Sequence, residues 1–345
     1  MRRSIILTGL LLSVIIAGAQ VGGNSTYSFL NLSNSARVAS LGSNFTGIQD
    51  YDLGLAVSNP SMLTPEYSGQ LAFSFVDYFS DINYGFASYS RDFENIGTWA
   101  ATMQYIDYGR FEYANVGGDR EGEFTGSELA ATFGWGRSLT PLFNVGANLK
   151  LIYSGLESYS SYGVAVDVAG TYYDKEKDLS ASLIFKNAGL EVAKNYEGER
   201  SPVPFEIQAA VSKKLEHLPF RYSIILTHLE NWQMRYFDPY DPTNRVDPIT
   251  GDVNEKTTMA KVGDELLRHV VVGGELTPAK FLSLRVSYNY QRRQEMKIYD
   301  AKGMIGWSWG IGLQISRFRF SYARSAFHVA GSPNYITIST NLNEW

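Results

Sequence analysis

The sequence contains no cysteine in 345 residues, so no disulfide framework holds the fold together. Beyond Ile16 it has no apolar run long enough to cross a bilayer as a helix. Positive charge is in the minority, with 30 Lys and Arg against 35 Asp and Glu and a formal net charge of −5, which disfavours a nucleic-acid partner. Histidine is scarce: His217, His228, His269 and His328 are the complete set, and none sits in a nucleophile motif. His228 beside Glu230 is the nearest thing to an acid–base pair, too little to assign a catalytic residue, so no enzyme is expected. The acidic run Asp238, Asp241, Asp247 and Asp252 offers oxygen ligands without the spacing of a calcium loop. It reads as a solvated surface loop, and neither metal nor cofactor is expected.

The chain opens Met1-Arg2-Arg3, runs apolar from Ile5 to Ile16 and offers Ala17-Gly18-Ala19 before Gln20. That is the pattern of a secretory leader, residues 1–19, cleaved after Ala19. Loss of Arg2 and Arg3 takes the net charge to about −7.

Residues 307–324 carry the pattern that organises the rest. Trp307, Trp309, Ile311, Leu313 and Ile315 fall on every second position, against Ser308, Gly310, Gly312 and Gln314. This period of two is that of a strand. After Ser316-Arg317 the parity flips, with Phe318, Phe320 and Tyr322 now apolar. A tight hairpin explains the flip by setting Ile315 opposite Phe318, Leu313 opposite Phe320 and Ile311 opposite Tyr322.

The alternation starts at Gln70 and predicts fourteen strands: 71–76, 82–90, 98–106, 129–135, 143–153, 162–172, 179–185, 205–211, 220–226, 270–276, 282–290, 307–315, 318–324 and 335–342. One hairpin alone would equally suit a soluble sandwich, and the connections decide between the two. Links near Asp92, Ser138, Lys175, Glu216, Pro278 and Ser316 are tight, whereas 107–128, 187–204, 227–268 and 291–306 are long and polar. Short turns on one rim, long loops on the other and an even strand number are the mark of an outer-membrane barrel. Abundant Tyr, Phe and Gly (23, 19 and 32) suit its aromatic girdles and close strand contacts. The fold class is therefore all-β, a transmembrane antiparallel barrel at 69–345. Both termini are expected on the short-turn, periplasmic rim, and the long loops outside the cell. The closing Trp345 after a final alternating strand fits a barrel-assembly signal.

Residues 20–68 do not alternate. Ser33 or Asn34 is placed to cap one helical turn and Asp50 or Asp52 a second, which ends before Pro60. Such short helices need a surface to lean on. The barrel lumen would supply it, making this segment a plug that buries Val38, Leu41, Phe45, Leu53, Leu55 and Val57. The other strand face puts Lys150, Asp167, Lys186, Glu206, Arg221, Glu275, Arg285 and Arg319 in that lumen, where charges of both signs are expected to pair. On the longest loop, Trp232, Tyr236, Phe237 and Tyr240, with Asp238 and Asp241, combine aromatic and polar groups as protein contact sites do.

The plug also carries a family resemblance. Ser35-Ala36-Arg37-Val38-Ala39-Ser40-Leu41-Gly42, then Asp50-Tyr51-Asp52 and Ser58-Asn59-Pro60-Ser61-Met62-Leu63, resembles the opening of the PorV and PorQ barrels of the Bacteroidetes type IX secretion system, themselves similar in architecture to FadL fatty-acid transporters. Tyr105-Ile106-Asp107-Tyr108-Gly109 through Gly122-Glu123-Phe124-Thr125, and His228-Leu229-Glu230-Asn231-Trp232, pull the likeness towards PorQ; Ser43 stands where the family often has a second glycine. The resemblance runs along nearly the whole chain after the leader. It implies a non-enzymatic outer-membrane component of the cargo-attachment complex, holding a PorZ-like surface protein near PorU and PorV-like partners through its outer loops. It also implies a plug in which Arg37, Leu41, Gly42, Asn59 and Pro60 are the motif positions. The alternative is a FadL-like transporter of hydrophobic small molecules.

Overall fold

A computed structural model of the chain describes residues 25–117, 119–197, 200, 202–235, 258–298, 303–328 and 331–344. The expected leader and Trp345 lie outside them.

Fourteen strands form one sheet. They are β1 (Gln70–Asp77), β2 (Asn83–Phe93), β3 (Gly97–Ala114), β4 (Arg120–Thr140), β5 (Phe143–Leu156), β6 (Tyr159–Asp174), β7 (Leu179–Lys194), β8 (Glu206–Lys214), β9 (Phe220–Leu226), β10 (Val270–Ala279), β11 (Leu282–Asn289), β12 (Trp307–Ile315), β13 (Phe318–Ser325) and β14 (Asn334–Asn341). Each pairs antiparallel with its sequence neighbours, and β1 pairs with β14 to close the barrel. Closure leaves neither the first nor the last strand as a free edge, which a sheet in lipid requires. The parity flip sets the last hairpin as expected: Ile315 opposes Phe318, Leu313 opposes Phe320 and Ile311 opposes Tyr322.

The faces are inverted relative to a soluble protein. Phe73, Phe75, Val286, Trp307 and Trp309 point outward and are 44–52% exposed, while Asn148, Lys150, Asp167, Ser223 and Arg285 point inward and are buried. A wall that is apolar outside and polar inside is stable only with lipid around it.

The connections at 94–96, 141–142, 175–178, 215–219, 280–281 and 316–317 are all short and share one rim; the other rim carries every long connection, together with the two-residue turn Glu157-Ser158. The long strands exceed their expected ends: β3 and β4 form a ribbon closed at residues 115–119, and β7 runs on to Lys194. Much of the expected loops 107–128 and 187–204 is thus strand. These extensions keep a short alternation, Phe111 and Tyr113 against Arg110 and Glu112 and Leu190 and Val192 around buried Glu191, and cross-strand pairs such as Arg120–Glu112 (2.7 Å) also link the ribbon's two strands.

Residues 25–69 fill the lumen. Two short helices, α1 (Ala36–Ser40) and α2 (Leu53–Ser58), are the main regular pieces. The cap of α1 is Ser35, whose hydroxyl accepts from the Val38 N–H at 3.3 Å, rather than Ser33 or Asn34. Those two instead tie the plug to itself, donating to the Ser43 and Gly54 carbonyls at 2.9 and 2.7 Å. Asp52 caps α2 as expected, and the helix ends before Pro60. Val38, Leu41, Ile48, Leu53, Leu55, Met62 and Tyr67 form a core of their own, and Phe45 reaches separately into Ala169, Ile184, Ala210, Ile225 and Val271 of the wall.

The chain's own ends lie outside the described residues. Within them, both barrel ends, Gln70 and Asn341, pair at the short-turn rim, and the first described residues lie at the opposite rim. There the Thr26 N–H donates to the Pro202 carbonyl (3.0 Å) and the Tyr27 hydroxyl to Ser161 (3.0 Å). Tyr27, Phe29 and Leu30 are apolar, and their partners in the wall, Tyr84, Phe86, Ile106 and Ile152, project inward near the long-loop rim. This also explains why Ile152 interrupts the polar face of β5.

Candidate functional site

The site is the plugged lumen together with the rim above it. At its centre Arg37, on α1, reaches three carboxylates: Glu275 of β10 at 2.8 Å, Asp52 at 3.3 Å, and Asp50 in direct contact. Glu275 also accepts from Arg285 of β11 at 2.7 Å. Arg37, Asp52, Glu275 and Arg285 are buried and Asp50 is partly exposed, so the cluster joins plug to wall largely by charges that water does not compensate. Leu41 is fully buried. Gly42 adopts φ +83° and a side chain there would meet Ser287; its carbonyl accepts from Asn289 (3.1 Å) and Arg292 (3.3 Å). Asn59 and Pro60 make the second anchor. Asn59 is buried beside Ser61 and Thr171, and the backbone at Pro60 lies so close to Gly136 and Gly146 that a Cβ on either would come within 2.4 Å of it. Arg37, Gly42, Asn59 and Pro60 thus lie directly against the wall, and Leu41 is in the plug's core.

The interior charges pair largely as expected. Lys150 meets Asp167 at 2.8 Å and the Asn187 side chain at 2.6 Å, and Arg221 lies 3.6 Å from Asp178. Spaces remain among the described residues. A cavity of about 160 Å³ near the short-turn rim is lined by Arg37, Asp50, Glu275, Arg285 and Arg319, and one of about 40 Å³ by Leu30, Phe86, Lys150, Asp167 and Lys186. Both have charged walls, and the second has room for little more than one or two waters.

The wall has a seam at β7. β8 pairs with β7 only up to Lys186–Glu206, so the upper half of β7 is held on one side alone. Asn187, at φ +55°, sits where the pairing stops. Its amide donates to Asn31 of the plug (2.9 Å) and to the Pro204 carbonyl (3.0 Å), and Val203 is buried against the plug's aromatic cluster. The plug thus closes the seam from inside.

At the rim, His228 and Glu230 do meet, at 3.1 Å, but in structural roles: Glu230 accepts from the Ile207 N–H at 2.7 Å, and Glu206 lies 3.7 Å from the imidazole. Burial opposes the imidazolium, yet the bond to Glu230 and the charges of Glu206 and Glu230 outweigh it and raise the pKa above the ordinary histidine value. The stabilisation from protonated His228 is therefore complete below the unfolded-state pKa and is lost as pH rises through the higher folded value. His228→Gln is expected to lower the melting temperature more at about pH 5.5 than at about pH 9; equal loss at both would show that the charge is not involved.

Of the expected contact residues, Trp232 is exposed and stacks on His269 with ring centroids 5.4 Å apart. Tyr236, Phe237, Asp238, Tyr240 and Asp241, like Asp247 and Asp252, lie outside the described residues. What the sequence reading missed is a helix in this loop, α3 (Thr258–Arg268), and a second, α4 (Tyr290–Met296), beside it. The spacing Met259, Val262, Leu266 was the available signal.

Fold and site together define a plugged, closed, fourteen-stranded transmembrane barrel. No family model and no curated protein matches the chain. Among solved structures, the toluene transporter TodX of Pseudomonas putida superposes with a TM-score of 0.54 at 10% identity, covering 90% of this chain and 99% of its own. A Pseudomonas aeruginosa FadL homologue gives 0.49 at 8% identity, covering 90% and 98%. The likeness to TodX establishes a shared barrel fold of the outer-membrane type.

Proposed function

We propose that this chain is a sealed barrel of the outer membrane that serves as a surface scaffold, with its long loops outside the cell holding a second protein. The observation that carries this is the occupied lumen: the plug runs its full depth, its apolar residues are consumed in packing on one another and on the wall, and the two cavities described are small with charged linings. Passage of an alkyl or aromatic molecule calls for a largely apolar pocket or conduit. With the interior given over to the plug, the rim is left as the working surface. The finer assignment, a type IX attachment component that holds a PorZ-like protein beside PorU and PorV-like partners, rests on the sequence resemblance of the plug motif and of residues 228–232.

Transport of hydrophobic small molecules is the second reading, and the comparisons favour it over the first. TodX is a toluene transporter, and the seam beside Asn187 is a place where a wall held by the plug has room to part. Purification from native membranes in mild detergent separates the two. A surface protein retained at constant ratio, and lost when residues 236–257 are deleted from a barrel that still folds, is the scaffold's expected result. Bound fatty acid or aromatic hydrocarbon with no protein companion would decide for transport.

A further inference from the structure

The membrane wall is lowest at β9. Its seven residues extend about 23 Å and, at the usual tilt of about 40°, rise about 18 Å, short of the apolar band of about 25 Å that a barrel of this kind presents. Directly above, α3 runs into β10 through His269, and its amphipathicity has the same inverted sense as the strands. The polar face is turned in: Asp264 accepts from Tyr290 (2.7 Å) and Arg268 (3.1 Å) and pairs with Arg235 (3.5 Å), and Glu265 accepts from the Met234 N–H. These contacts fix the helix's rotation. The apolar face is turned out: Met259, Val262, Leu266 and Leu267 are all exposed, Met259 to 86%, and around Gly263 the space is open.

We propose that α3 is part of the lipid-facing wall, its outward residues seated among the acyl chains of the leaflet on the long-loop side. Three observations converge on lipid as the occupant. The outward face of α3 is continuous with that of β10, whose Val272 is an exposed position of the barrel's lipid belt. An α-helix about 10 Å across and, here, about 16 Å long covers a shortfall of about 7 Å in either orientation. Trp232, 57% exposed beside the junction of α3 and β10, is the residue type that marks the headgroup level of such belts. α3 is then an anchor between loop and bilayer, and a protein partner of the rim has to use other residues. The inference depends only on the barrel lying in a membrane, and holds for scaffold and transporter alike.

The absence of cysteine makes the test direct. Val262→Cys and Leu266→Cys are labelled with an environment-sensitive fluorophore beside two references, Val272→Cys on the strand and Gly117→Cys at a loop tip. The proteins are placed in phosphatidylcholine vesicles with and without acyl-brominated lipid, and then exposed to aqueous iodide. Bromolipid quenching at 262 and 266 is expected within about twofold of that at 272, with iodide quenching about fivefold below that at 117. Iodide quenching equal to that at 117, without bromolipid quenching, overturns the inference. So does protection that disappears as protein is diluted in lipid, which would mean a second copy covers the face. Failure of Val272→Cys to be quenched by bromolipid would instead overturn the membrane placement of the barrel.

Discussion

Arg37→Met will loosen the plug while leaving the barrel closed. The substitution keeps the apolar stem of the side chain but removes the guanidinium that Asp50 and Asp52 pair with and leaves Glu275 paired with Arg285 alone. Removing one partner from a buried ion cluster costs about 3–5 kcal/mol, because the stranded charges keep their desolvation penalty. The ladder of fourteen strands contains none of the lost contacts apart from the Glu275 side chain, so the loss falls on the plug. The expected result is protease cleavage within residues 25–68 of an otherwise resistant barrel. Adding Asp52→Asn, which keeps the oxygen that caps α2, should restore part of the protection, since one stranded charge is then gone. Wild-type protease resistance in Arg37→Met would mean that the cluster is not what seats the plug.

Gly146→Val will have an effect of similar size at the other anchor. A Cβ at 146 stands 2.3 Å from the carbonyl group of Pro60 and 2.5 Å from the Ser61 nitrogen. Backbone atoms have no rotamer by which to step aside, so the Asn59–Met62 turn must move as a unit. Overpacking of this kind costs about 1–3 kcal/mol, and the buried bonds joining Asn59, Ser61 and Thr171 are lost in addition. Gly170→Val is the control: a Cβ there meets only the Asn144 carbonyl, at 4.0 Å, and the change should be neutral within about 0.5 kcal/mol. Equal melting temperatures for the two variants would remove Pro60 from the account of how the plug is held.

Where bilayer and chain impose one repeat, the sequence shows it plainly. Leu284, Val286 and Tyr288 alternate with Arg285 and Ser287 because lipid lies on one side and the lumen on the other, and the register of β12 with β13 follows from parity alone. The burial of Leu41, Leu53 and Leu55 was legible for a related reason, since no other surface in the chain could cover them. Beyond the bilayer the signal weakens. Arg110, Glu112, Arg120 and Glu123 share one face of the β3–β4 ribbon and Phe111, Tyr113 and Phe124 the other, but the surrounding Gly, Asp and Asn residues make the stretch read as a loop. α3 was hidden differently: its period was present, but an apolar face on a loop suggests a protein contact, and only the wall height at β9 shows why it points outward. The Arg37 cluster was beyond reach because Glu275 lies 238 positions away, and nothing in an isolated glutamate names its partner.

The most direct test of the sealed scaffold is transfer of small hydrophobic molecules into vesicles that carry the purified chain. Wild type is expected to match protein-free vesicles for a fatty acid and for a monoaromatic hydrocarbon, while Arg37→Met, with its plug loosened, admits small polar solutes. Saturable uptake by the wild-type chain would contradict the account and make the seam beside Asn187 the site of function.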